Sequence, residues 1–126
     1  MPKDLMFILP YQAGMLAKLT ESLGSAGVNI EGCCMQEFGP EELVHILVED
    51  AATARRAAEQ AGFVVRGERE VIVADIEDRP GGLARLLAPI ADAGVSADLV
   101  YQATNSRVVI AVVEGLERAR AAMRPA

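Results

Sequence analysis

Gly81-Gly82-Leu83-Ala84-Arg85-Leu86, followed by Ala93-Gly94-Val95, repeats an earlier stretch: Gly14-Met15-Leu16-Ala17-Lys18-Leu19, followed by Ala26-Gly27-Val28. The identical positions keep one offset of 67 residues, from Gly14 to Gly81. Lys18 against Arg85, Leu23 against Ile90 and Glu31 against Asp98 are conservative matches in the same register. Self-similarity at this period marks two copies of one supersecondary unit. Further on the offset falls to 65, Val48-Glu49 against Val113-Glu114, which gives the second copy the shorter hairpin.

Working outward, each copy reads as strand, helix, strand, strand, helix. Residues 4–9 and 70–77 are apolar runs of strand length. Helices are predicted over 14–26 and 81–93, where Leu16, Leu19 and Leu23, and Leu83, Leu86, Leu87 and Ile90, fall on one helical face. Gly27 and Gly94 stand where a left-handed residue ends a helix. Pro89 removes one hydrogen bond within the second helix and predicts a kink. Strands follow at 28–37 and 95–103, turns at Gly39-Pro40 and Thr104-Asn105-Ser106, and return strands at 42–49 and 107–113. Ala-rich segments 51–61 and 115–123 are second helices. The first copy adds a fourth strand at 63–66, and the second has none. The order βαββαβ closes as an antiparallel sheet with both helices on one face. The fold class is therefore α+β: two ferredoxin-like repeats side by side, residues 1–68 and 69–126, the second without its last strand. A copy of about 65 residues is marginal alone, so pairing of the copies is expected on energetic grounds.

The composition bounds the function. The 126 residues are 52% hydrophobic, enough for a core, but only 4% aromatic with no Trp, so that core is aliphatic. The net charge of −6 repels phosphate backbones and anionic lipid, which argues against a nucleic-acid or membrane partner. No apolar run approaches the ~20 residues of a membrane helix, and Met1-Pro2-Lys3-Asp4, an acid before a short apolar run, does not read as a signal peptide, so none is expected. Cys33 and Cys34 are adjacent and supply neither a disulfide framework nor a spaced metal motif, so a reducing, cytoplasmic setting is expected.

The chemistry concentrates in Asp78-Arg79-Pro80-Gly81-Gly82-Leu83-Ala84, between the first strand and first helix of the second copy. Pro80 presets φ near a helix start and the glycines allow close backbone approach. Amides of Gly82, Leu83 and Ala84 suit a carboxylate, and Asp78 beside them suits a cation. On the residues alone this outline of a zwitterion site stands beside a plainer reading, a helix capped by Asp78.

With Ala93-Gly94-Val95 downstream, this loop resembles the ACT domain, a βαββαβ amino-acid-binding module. The likeness spans nearly the whole chain, twice. The first copy departs from it in Pro10-Tyr11-Gln12-Ala13-Gly14, where Tyr11 replaces the acid and Ala13 the proline, while Gly27-Val28-Asn29-Ile30 fits. The resemblance implies a ligand between the loop of one repeat and the second strand of the other. One site would join Asp78, Arg79, Pro80, Gly81, Gly82 and Leu83 to Asn29; its mirror would join Tyr11 and Gln12 to Ser96. The mirror lacks the acid and is not expected to bind the same ligand, or any.

Other residues have plainer explanations. His45 lies within a predicted strand without an organised Cys or acid partner, which suits a structural role. Cys33 and Cys34 point to opposite faces of a strand, so at most one is buried. Of Tyr101 and Gln102, one should face the helices and the other the open sheet face; Tyr101 is expected in the core, and contact of Gln102 with a ligand is the lesser reading. Arg55-Arg56, Arg118 and Arg120 read as solvated helix faces. No nucleophile–base pair, carboxylate dyad, phosphate loop, metal set or cofactor motif is present, so the chain is not expected to be an enzyme. The resemblance implies a regulatory small-molecule sensor that binds a free amino acid and acts on a separate partner, such as an unlinked enzyme. The alternative is a subunit of an amino-acid-metabolism enzyme that binds no ligand and serves interaction or regulation. The first strand of the second copy, uncovered by a fourth strand, predicts a homodimer.

Overall fold

The structure is a computed structural model describing residues 1–124, and it divides into two compact units, Met1–Glu70 and a second beginning at Val71. The first unit runs β1 (Lys3–Pro10), α1 (Met15–Ser25), β2 (Gly32–Phe38), β3 (Glu41–Val48), α2 (Ala51–Gln60) and β4 (Gly67–Glu70). Its strands lie in the order β4-β1-β3-β2, every neighbour antiparallel. The second unit runs β5 (Ile72–Asp75), α3 (Gly82–Asp92), β6 (Ala97–Ala103), β7 (Arg107–Val112) and α4 (Leu116–Met123). Its strands lie in the order β6-β7-β5, again antiparallel, and no counterpart of β4 follows α4 among the described residues.

Period-two alternation builds each core. Leu5, Phe7 and Leu9 of β1 and Val44, Ile46 and Val48 of β3 share one face and pack with Leu19 and Leu23 of α1 and Ala51, Ala54 and Ala58 of α2. The alanines let α2 approach closely, and each large side chain buried here contributes about 1.5–3 kcal/mol. The second core repeats the plan with Ile72, Ile90, Val95, Val108, Ile110, Val112 and Ala119. Ala74 stands where Phe7 stands in the first unit, so the second core is smaller.

The ladders refine the repeat. Leu5 faces Ile46 and Ile72 faces Ile110, so the return strands correspond at an offset of 64, not the expected 65. The hairpin of the second unit is three residues shorter, and one residue is regained before α4. Two strands also fall elsewhere than expected. Residues 63–66 do not form the fourth strand: Gly62 turns left-handed after α2, Phe63 plugs into the core, and the ladder begins only at Gly67. The run 70–77 is shared: Glu70 belongs to β4, and β5 covers only Ile72–Asp75.

Helix ends follow local chemistry. Gly27 and Gly94 adopt left-handed backbone after α1 and α3, as the sequence requires. Asp50 caps α2, accepting from the Thr53 amide at 3.1 Å and the Thr53 hydroxyl at 2.7 Å. α3 continues from Gly82 to Asp92 with Pro89 inside it.

Candidate ligand site

The loop between β5 and α3 is a tight wind. The Arg79 amide donates to the Glu77 carbonyl at 2.9 Å, and the Gly82 amide donates to the Arg79 carbonyl at 2.9 Å. Gly81 takes φ 83°, a left-handed conformation cheap only for glycine, and it occupies the N-cap position of α3. This corrects the reading of Asp78 as the cap. It also removes the Gly82 amide from the donors open to an anion. Gly82 has no room for a side chain, because a Cβ there would run into the Glu77 carbonyl oxygen.

The β6–β7 hairpin closes on this loop. Its turn, Thr104-Asn105-Ser106, holds Asn105 and Ser106 at φ 62° and 54°. The Ile76 amide donates to the Ser106 carbonyl at 2.9 Å, tying loop to hairpin. Between them lies a cavity of about 300 Å³ lined by Ile76, Glu77, Asp78, Arg79, Leu83, Gln102, Ala103, Ser106 and Arg107. Arg79 pairs with Glu77 at 2.6 Å on the exposed rim, an interaction worth little in water. The Arg107 guanidinium is oriented by the Thr104 carbonyl at 2.8 Å and the Thr104 hydroxyl at 3.0 Å. Asp78 and the held Arg107 therefore both line one space.

Of the residues singled out in the sequence, Asp78, Arg79 and Leu83 line this cavity, with Gln102 beside them. Pro80 and Gly81 shape the loop from its exposed side. Ser96 lines a different cavity of the second unit with Asp98 and Arg118. Asn29 is exposed in the first unit, ahead of β2. Tyr11 and Gln12 line the corresponding cavity of the first unit, of about 380 Å³, with Leu16, Met35 and Glu42. Ser106 and Arg107 escaped sequence reasoning because their stretch reads as turn chemistry. Only the ladder register brings them to the loop.

The remaining candidates are placed as follows. His45 is buried, its Nδ1 2.8 Å from Oδ2 of fully buried Asp4, a partner the strand spacing did not reveal. Both sit on the sheet face away from the helices, as does buried Tyr101, which is not part of the helix-facing cluster. Cys33 is exposed and Cys34 half-buried. Surrounding protein withdraws water from both sulfurs and, with the Asp4 carboxylate and for Cys33 the neighbouring Cys34, raises both thiols above their ordinary value. Neither is an activated thiolate. Among the described residues no group of three His, Cys, Asp or Glu could hold a metal ion, and no helix is long and apolar enough to cross a membrane.

The comparisons with known proteins bear on the fold. Neither a family model nor a curated protein matches the chain. Among solved structures, protein BT0572 from Bacteroides thetaiotaomicron is similar at TM-score 0.84 and 25% identity, covering 96% of this chain and 85% of that one. The ligand-free regulatory subunit of aspartate kinase from Thermus thermophilus is similar at TM-score 0.71 and 20% identity, covering 98% and 87%. The corresponding subunit from Thermus flavus gives 0.67 and 20%, covering 97% and 89%. With these neighbours and the strand orders above, the fold is ACT-like, as the resemblance implied.

Proposed function

We propose that this chain is a non-catalytic regulatory sensor that binds a free amino acid in the cavity of its second unit and acts on a separate partner protein. The observation that carries the reading is the pair of opposite charges in one cavity, Asp78 on the loop and Arg107 on the hairpin. A carboxylate suits the ammonium of a zwitterion and a guanidinium suits its carboxylate. Ile76, Leu83 and Ala103 leave an apolar patch for the side chain. The non-catalytic part draws support from the single histidine being tied to Asp4 in the interior and from both thiols being raised rather than activated.

A thermal-shift panel over the twenty amino acids tests it. A ligand at a hundred times its Kd adds about 2.7 kcal/mol of stability. Asp78→Ala should weaken binding by about 1.5–3 kcal/mol, the worth of a charged hydrogen bond. Calorimetry finding full affinity in that variant would remove Asp78 from the site. The second reading, an interaction subunit that binds no amino acid, is favoured by the first unit, where Tyr11 stands in place of Asp78. A panel in which no amino acid moves the melting temperature would select it.

A further inference from the structure

The first unit carries a different site at the corresponding place. Gln36 faces Leu43 where, in the second unit, Ala103 faces Arg107, and the longer hairpin adds Glu37 facing Glu42 and Phe38 facing Glu41. Glu37 and Glu42 are therefore direct cross-strand neighbours of like charge, an arrangement that destabilises a ladder. Glu42 is also only 7% exposed, and its carboxylate makes no hydrogen bond or ion pair among the described residues. Neither carboxylate oxygen of Glu42 is among the buried, unpartnered polar atoms of the described residues, so the little exposure that Glu42 keeps lies at its charged head. It lines the 380 Å³ cavity, whose other walls include Tyr11, Leu16 and Met35. Tyr11 and Met35 are 61% and 47% exposed, and the Tyr11 amide donates to the Pro40 carbonyl at the hairpin tip at 3.0 Å, which ties this loop to the hairpin. Between residues 5 and 54 the only Lys or Arg is Lys18.

We propose that the first-unit cavity is a binding site for an organic cation with an apolar stem, an alkylammonium or alkylguanidinium. The charged head meets Glu42 with Glu37 beside it, and the stem lies along Met35, Leu16 and the Tyr11 ring, which adds a cation–π contact. Ser106 occupies the position of Glu42 in the second unit, so the second cavity lacks this acid. The site stands whether or not the second unit binds an amino acid.

The test is an NMR titration of the labelled full chain with n-butylammonium, with n-butanol as its uncharged counterpart, and with short peptides carrying Lys or Arg between apolar residues. Saturable shifts centred on residues 11, 35 and 42 are expected with the cations and not with butanol. Binding of butylammonium marks a small-molecule site, and binding of the peptides alone marks a side chain offered by a protein; either supports the proposal. Glu42→Gln should weaken cation binding by about tenfold or more. In the ligand-free protein the same variant should melt at a higher temperature, because the repulsion is gone. Absence of saturable shifts, full affinity in the variant, or a lower melting temperature for it would overturn the assignment.

Discussion

At the scale of single residues, the same backbone frame carries different side chains at a few equivalent positions. Asp78 and Tyr11 occupy equivalent loop positions, as do Ser106 and Glu42 on the hairpins, and it is on these exchanges that the two proposals, a zwitterion in one cavity and a cation in the other, rest. A residue outside both sites offers a check on the electrostatics. The Thr53 hydroxyl and amide hold the Asp50 carboxyl below its ordinary value of 3.8. A carboxylate depressed on folding adds stability above its unfolded pKa and loses it as pH falls through the folded one. Asp50→Ala should therefore be destabilised at neutral pH, and its deficit should narrow below about pH 3–4 as the wild-type carboxylate protonates. Denaturant titrations at pH 7 and in acid measure this directly; a deficit independent of pH would assign the cap to hydrogen bonding without charge. Half of each site was legible at this scale. The loop residues announce themselves through glycine and proline, whose backbone consequences are local. Arg107 and Glu42 do not, because their role depends on which rung of a ladder they occupy, and a three-residue change in hairpin length moves that rung.

At the scale of elements, the repeat was readable because helices α1 and α3 keep their apolar spacing and their terminal glycines at one offset. Strands were readable less well. Phe63 and Val65 look like a strand by composition, yet Gly62 aims them into the core, and charged Glu68, Arg69 and Glu70 pair with β1 instead. An edge strand needs backbone pairing more than apolar side chains, so its charges hid it. α3 carries its own cost. Pro89 has no amide to donate to the Arg85 carbonyl, one turn earlier in a helix that continues past it. Replacing Pro89 with Ala restores that bond and should raise stability by up to about 3 kcal/mol, read from chemical denaturation. An unchanged midpoint would mean that the stiffness proline gives the unfolded chain offsets the missing bond.

At the scale of the molecule, the first unit has four strands and the second three among the described residues. β5 is the end strand of the second unit, and nothing equivalent to β4 follows α4 among the described residues. Regular unpaired edges invite pairing, so a homodimer is expected. Light scattering at micromolar concentration should give twice 13.4 kDa, whereas a single species at 13.4 kDa would show that four residues of edge are too short to recruit a second chain. The two units also differ in how they can be watched. The chain has no tryptophan and two tyrosines, Tyr11 in the first unit and Tyr101 in the second. Tyr11 stands on a cavity wall in water, and Tyr101 is 7% exposed. The protein therefore carries one tyrosine fluorophore per unit: emission from Tyr11 would register a ligand entering its cavity, as proposed above, and emission from Tyr101 the unfolding of its unit. A pair of single-tyrosine variants would resolve the two units without any label.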